Sequence, residues 1–377
     1  MSLSLSSFVR RFGPGLVVTM LACSSSSSPG GGTTPVTSSG PANLTWCTNP
    51  APAGCNRVPI CGVCVATPTD PLARTTDSRE YSGKGAPDLS CLQKGAALKP
   101  LDTAGSKKIS VKGYARIFAN GPDSKNVKVE LFREILAPGP TGQLGDKVGE
   151  TTTVDKLADG TGTKKETIVK SGVSEDRTLY PFQIDGVPTE TPLIAKTSSK
   201  TSVATDGWFQ LFDYNQVILN GAPTCATPDA TACFASDGSY HLDVRALGND
   251  DYASILKAAY SRPPEGGKSA IAGEVHDCGD VRLSNATVGI GPTAGLGLFY
   301  LSEVEDNPLP EIGRKATGRL GLYAAGGLDP GTYTLAASGK SGSDVYALGS
   351  YTVQTFPDSV SVFTFRGLRP WQVTATK

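Results

Sequence analysis

The 377-residue sequence has only two histidines, two methionines and three tryptophans, and its 35 Lys+Arg are balanced by 35 Asp+Glu. A neutral chain lacks the electrostatic footprint of a nucleic-acid binder, and no basic patch points to anionic lipid. No apolar run reaches the roughly 20 residues that a spanning helix needs. Helix-period stretches are scarce, whereas Thr, Val, Tyr and Gly are common, which argues for an all-β fold. No G-x-S-x-G elbow presents a serine, and no EF-hand spacing presents calcium ligands. The reading that follows has no catalytic residue, no cofactor and no metal.

What is present begins with VRRFGPGLVVTMLAC. Arg10 and Arg11 form a positive n-region and residues 12–22 a short apolar h-region, so residues 1–22 read as a cleaved signal peptide. Met20-Leu21-Ala22-Cys23 resembles a bacterial lipobox. The resemblance implies that Cys23 carries a thioether-linked diacylglycerol and an amide-linked acyl chain, each buried CH₂ adding about 0.8 kcal/mol of membrane affinity. Ser24, where an aspartate would otherwise stand, implies sorting to the Gram-negative outer membrane. Ordinary secretion, with Cys23 removed or free, is the alternative. Residues 23–41 are a lipidated cysteine and a Ser/Gly/Pro/Thr tether that cannot bury enough apolar surface to order itself. The expected partners are the membrane, through the lipid anchor, and a glycan or envelope protein, with no nucleic acid. The expected location is the outer membrane, on its periplasmic or cell-surface face.

Of nine cysteines, eight remain if Cys23 is lipidated, an even number suited to disulfides outside the cytoplasm. These are Cys47, Cys55, Cys61, Cys64, Cys91, Cys225, Cys233 and Cys278. Cys225 and Cys233 share a short Pro/Ala/Thr loop and are expected to pair. Five cysteines crowd residues 47–91, so one lacks a local partner and a long-range bridge to Cys278 is expected. A zinc site at Cys55, Cys61 and Cys64 is the sharper alternative. Zinc knots generally show two paired knuckles, and CNRVPICGVC shows one.

Beyond the tether the chain divides into a Cys-rich, loop-rich segment (42–106), a first β domain (107–220), a connector with a short helix (221–267) and a second β domain (268–377). The small core expected for 42–106 leaves much of its stability to bridges. In KKISVKGYARIF the expected core positions are Ile109, Val111, Tyr114 and Ile117. NVKVELFRE places Val127, Val129 and Leu131 on one face and Lys128 and Glu130 on the other. Residues 137–178 read as long loops with weak strands, followed by strands LYPFQIDGV, PLIAKTSS and GWFQLFDY. NDDYASILKAAY reads as a helix capped by Asn249 and the aspartates, with Tyr252, Ile255 and Leu256 on one face and SRPPEGG ending it. After residue 268, strands recur every 10–20 residues, as in a sandwich.

The second domain resembles the carboxypeptidase regulatory-like family. IAGEVHDC matches its opening x-G-x-V strand, NATVGI its second strand, and GRLGLYAAGGLDPGTYTLAAS its G-x-x-x and L-x-P-G-x-Y-x-L strands. The resemblance implies a transthyretin-like, carbohydrate-binding-like sandwich, with 107–220 as a diverged copy. The expected fold is therefore all-β: two tandem transthyretin/Ig-like sandwiches behind a disulfide-rich segment. Pro330-Gly331 is expected to make the tight turn, Pro fixing φ and Gly accepting φ > 0, with Leu328, Tyr333 and Leu335 in the core.

The remaining chemical candidates are few. Each histidine, His241 in SYHLDV and His276 in VHDC, falls in an expected strand. His276 and Cys278 are two residues apart and share a strand face. A thiol–imidazole pair is weighed there against a disulfide cysteine beside a surface histidine, and the second is preferred. Glu303, Glu305, Asp306 and Glu311 read as a solvated acidic loop in preference to a calcium site or a glycosidase pair. Trp208 is assigned to a core, and Trp371 is the surface candidate for stacking on a sugar. The functional expectation is a non-catalytic surface lipoprotein acting in adhesion, envelope scaffolding or glycan/protein binding. The alternative is an accessory binding subunit of an extracytoplasmic enzyme or secretion complex.

Overall fold

Period-two alternation builds most of the molecule. The computed structural model describes residues 55–366 apart from 56, 93–100, 120, 137–139, 171, 201–206, 228–229, 293–294 and 296. The leader, the tether, Cys23, Cys47, Trp46 and Trp371 lie outside the described residues. Among the described residues no helix is long and apolar enough to cross a membrane.

Strand β1 (Lys108–Ile117) buries Val111, Ala115 and Ile117. Tyr114, also expected in that core, packs against it but is only partly buried. It differs in parity from Val111, and a strand reverses face at every residue. In β2 (Val127–Leu136), Val127, Val129 and Leu131 are fully buried. The stretch 137–178, expected as long loops with weak strands, holds a 13-residue strand β3 (Pro140–Thr152) and a hairpin of β4 (Lys164–Lys170) and β5 (Val173–Leu179). Cross-strand partners settle these polar segments where apolar periodicity is too weak to announce them. The first half continues through β6 (Pro181–Pro188), β7 (Pro192–Ser199), β8 (Trp208–Val217), β9 (Tyr240–His241) and β10 (Val244–Gly248). Helix α1 (Asn249–Tyr260) buries Tyr252 and Leu256. Its N-cap is Gly248, one residue before the expected Asn249, and Ser261 closes it in the left-handed conformation. The second half holds β11 (Ser269–His276), β12 (Thr287–Gly291), β13 (Leu322–Leu328), β14 (Gly331–Ser341), β15 (Asp344–Thr355), β16 (Ser359–Val362) and β17 (Phe365–Arg366).

The fold is all-β in its sheets. One large sheet runs through both halves. In the first half β3, β2, β7 and β8 form an antiparallel ladder. Strand β8 then pairs antiparallel with β10 at one end and parallel with β16 along its middle. Strand β16 in turn pairs parallel with β11, which pairs antiparallel with β13. The three-stranded sheet β12–β14–β15 packs over this second half. Two principal cores result. One gathers Val129, Leu131, Phe182 and Trp208; the other gathers Tyr323, Leu335, Tyr351 and Phe363. The expected tandem sandwiches therefore have separate cores but a shared sheet, welded at β8. Residues 58–92 do not form a separate stapled unit. Leu72, Leu89 and Leu92 enter the second core, and Val63 and Val65 pack on Ala336.

The LDPGTYTL run behaves as a sheet-switching corner. Leu328, Tyr333 and Leu335 are buried, and Tyr333 Oη donates to the Asp329 carbonyl at 2.8 Å. The left-handed glycine is Gly327 (φ 66°), whereas Gly331, expected to accept φ > 0 in a tight turn, is not among the positive-φ residues. Pro330 carries the chain from one sheet to the other, so no hairpin turn is required at Gly331.

The two halves share one further device. Strand β1 pairs parallel with β9 and β10, and β11 pairs parallel with β16 and β17. Each parallel partner breaks opposite a glycine. Leu242 N–H donates to Lys112 O (2.8 Å) and Phe363 N–H to Ala272 O (2.9 Å). A Cβ on Gly113 would sit 2.0 Å from the Leu242 oxygen, and one on Gly273 1.8 Å from the Phe363 oxygen. The matched register sets Arg245 opposite Arg116 and Arg366 opposite His276. The halves are thus an internal structural repeat in which Arg245 and Arg366 correspond.

Gly113→Ala and Gly273→Ala should each destabilise the protein by about 1–3 kcal/mol or more, because backbone must shift to admit the methyl group. Gly331→Ala, with open space around it, should stay within about 0.5 kcal/mol of wild type. Urea denaturation of the three variants checks this.

Candidate functional site

Polar side chains from both halves converge where β8, β10, β11 and β17 meet. Alternation on β11 sends Glu274 and His276 to the same side. Strand β10 contributes Arg245, β8 Asp213 and β17 Arg366, and the loop after β11 contributes Arg282. The N-terminal segment delivers Tyr81, held at φ 54°. All of these but His276, which is buried behind them, line a cleft of about 120 Å³.

Glu274 is the hub. Its Oε1 accepts from Arg245 Nη2 at 2.8 Å, and its Oε2 accepts from Arg282 Nε at 3.0 Å and lies 2.7 Å from His276 Nε2. His276 Nδ1 faces Asp280 at 2.8 Å, so each ring nitrogen meets a carboxylate. Burial alone would raise the Glu274 carboxyl, but Arg245, Arg282 and His276 outweigh it and hold it well below the carboxylate range. Asp213 behaves oppositely: burial raises it, and Arg245 and Arg366 only partly offset the rise. Tyr81 closes the cluster, its ring 4.8 Å from that of His276 and under the guanidinium groups of Arg282 (5.6 Å) and Arg366 (5.5 Å). Burial raises its phenol. An outer layer completes the pairing: Arg116 meets Asp243 (2.6 Å) and Glu80 (2.7 Å), Arg177 meets Glu166, and Arg282 meets Glu305 (3.1 Å).

This arrangement fastens elements together and presents no nucleophile. Cys278, two residues from His276, is bonded to Cys91. His276 is 1% exposed, not the surface histidine expected, because β11 lies inside the large sheet. Cys225 pairs with Cys233 and Cys55 with Cys64, and Cys61 is disulfide-bonded as well, so no thiolate trio is left for zinc. Among the described residues no group of three or more His, Cys, Asp or Glu could hold a metal ion. The acidic loop is less solvated than expected. Glu305 and Asp306 pair with Arg79, and Glu303 and Glu311 with Arg314. His241 lies 3.1 Å from Asp243. Trp208 is buried, and its Nε1 donates to Lys125 O at 2.9 Å.

Sequence reasoning missed Tyr81, Asp213, Arg245, Glu274, Arg282 and Arg366. The available signal was a charge in an otherwise apolar strand flank, Glu274 in IAGEVH and Arg245 in HLDVRAL, which a buried strand tolerates only with a partner.

No protein-family model matches the chain, and no curated protein does. Among solved structures it is similar to the shaft pilin SpaA of Lactobacillus rhamnosus GG, at 10% identity over 70% of this chain and 99% of that one, with a TM-score of 0.17. It is also similar to a streptococcal ancillary pilin, at 12% identity over 79% of this chain and 75% of that one, TM-score 0.14. A fimbrial protein from Bacteroides ovatus shares 9% identity over 69% of this chain and 49% of that one, TM-score 0.14. Likenesses this remote decide neither fold nor function.

Glu274→Gln should cost about 3–5 kcal/mol at pH 7, because two buried guanidinium groups lose their counter-charge. Since the folded carboxyl titrates below its ordinary value near 4.5, its contribution is present above that pH and is lost as pH falls. Asp213 has the opposite sign: its contribution favours folding below its ordinary value of 3.8 and is lost as pH rises. Urea midpoints between pH 7 and 3 should therefore fall more steeply for wild type than for Glu274→Gln, and more steeply still in Asp213→Asn.

Proposed function

We propose that the chain is a lipid-anchored, non-catalytic surface protein that works by binding, in adhesion, envelope scaffolding or recognition of a glycan or protein. The observation that carries this is the state of its thiols: all seven described cysteines are disulfide-bonded. Such a chain belongs in an oxidising compartment, which agrees with an export leader ending at Cys23. The lack of catalysis is supported by the way its ionisable groups are used: the candidate nucleophile and acid–base residues are bonded to one another or to arginines. Trp371 is the proposed sugar-stacking residue, Cys23 the lipidated one, and the outer membrane the proposed location.

Intact mass of protein purified from host membranes, with and without reductant, tests this. The expected product starts at Cys23, carries acyl mass, and gains eight hydrogens on reduction, one for each remaining cysteine of the nine. An unlipidated product cut elsewhere would overturn the anchor. Sugar-array binding that Trp371→Ala abolishes is the expected result for recognition.

A further inference from the structure

The N-terminal segment crosses the cleft as a loop whose two ends meet on one side chain. Asp277, 1% exposed, accepts on its Oδ2 from Arg74 Nε at 2.5 Å and from the Asp88 N–H at 2.8 Å. Both ends are fixed around this clasp. On one side Ala73–Arg74 pairs antiparallel with Leu283–Ser284, and Leu72 and Thr75 are buried. On the other, Leu89 and Leu92 enter the second core and Cys91 is bonded to Cys278. Between these anchors none of residues 76–88 is buried, and none belongs to a helix or strand. A surface loop of about 6–16 residues with its ends together is an Ω-loop, a kind that is frequently functional.

The middle of this loop is held down by polar contacts. Glu80 meets Arg116 of the first half at 2.7 Å, and Arg79 meets Glu305 and Asp306. The side chains of Glu80, Arg116 and Arg79 are 31%, 24% and 38% exposed, and ion pairs this wet are weak and screened by salt. The Arg282 N–H donates to the Tyr81 carbonyl at 2.9 Å. The Tyr81 ring lies under Arg282 and Arg366, and its φ of 54° is one that an aromatic residue keeps only where its surroundings impose it. When the ring leaves, the backbone relaxes, which offsets part of the lost contact.

We propose that residues 76–88 are a lid that swings about the Asp277 clasp and uncovers the cleft where the two halves meet. Arg79, Glu80 and Tyr81 line that cleft from the loop's side. Lifting them turns Arg282 and Arg366 toward solvent, while the Cys91–Cys278 bond and the buried leucines keep the anchors in place. Neither core is disturbed, so the motion is a local opening of a segment with few buried apolar contacts. The device is independent of what the chain binds at its surface.

Amide hydrogen exchange of the full chain, read residue by residue, tests this. The reporter is the Arg282 N–H, which belongs to a residue 7% exposed and donates to the loop. The reference is the Phe363 N–H, which donates to the Ala272 carbonyl inside the large sheet. Arg282 should exchange at least about a hundredfold faster than Phe363, with little dependence on low urea, because lid opening exposes little surface. Its rate should rise between about 0.05 and about 0.5 M NaCl, as screening loosens the ion pairs. Glu80→Gln should speed Arg282 exchange severalfold and Tyr81→Ala at least about tenfold, with Phe363 little changed. Neither substitution removes the backbone carbonyl at position 81, so the rate reports where the loop is. An Arg282 amide that exchanges at the Phe363 rate with the same urea dependence opens only on global unfolding, and would overturn the lid. Variants that accelerate both amides equally, or neither, would overturn it as well, since the loop would then be a fixed staple of the fold.

Discussion

The burial of Glu274 between Arg245 and Arg282 is the interaction on which the junction of the two halves depends. Glu274 comes from the second half and Arg245 from the first. Removing one partner of such a group leaves a charge uncompensated in a low-dielectric site, which costs more than the pair contributes. The apolar cores supply the driving force for folding, but they would accept other alignments of β8 against β16. The ion cluster accepts one, since Asp213, Arg245 and Glu274 meet only in the register that pairs Asp213 with Val362. Tyr81 then seals the cluster with a ring carried from the N-terminal segment.

How much of this was legible depended on the distance over which a residue acts. Val127, Val129 and Leu131 could be read directly, because strand parity is local. Tyr114, of opposite parity to Val111, packs on the same core but is only partly buried. Leu328, Tyr333 and Leu335 were legible as core from the LDPGTYTL pattern, but not the route by which Pro330 changes sheets, which makes Gly331 ordinary and moves the left-handed glycine to Gly327. Counting cysteines directed Cys278 toward the N-terminal segment. The choice of Cys91 needed the fold, which brings Cys278 N–H to the Asp88 carbonyl. The ion cluster was illegible because Tyr81, Asp213 and Arg366 are separated by most of the chain and meet only through parallel pairing.

Gly113 and Gly273 show what a repeat retains when sequence similarity fades. Both admit a carbonyl of a parallel strand where a side chain would otherwise stand, and both sit ahead of a position whose partner is an arginine. Around that shared geometry the chemistry has diverged. Arg245 is locked to Glu274, while Arg366 pairs with Asp280 and lies over Tyr81. Architecture of this kind is compatible with many activities, and it is such local departures from the repeat that distinguish the two halves chemically.

The Cys91–Cys278 bond joins residues 187 apart in sequence, and that separation has a mechanical meaning. Tension applied between the N-terminal segment and the end of β17 would pass from Cys91 directly into the residues following β11. The whole of the first half, from β1 to β10, lies on the bypassed loop. Tension along the chain would bypass it while the bond is intact and would enter β12 to β17, β11 itself lying within the bypassed loop. Reduction would lengthen the load path by that entire loop, so the same bond that staples a loop-rich segment also determines which half of the molecule can be stretched.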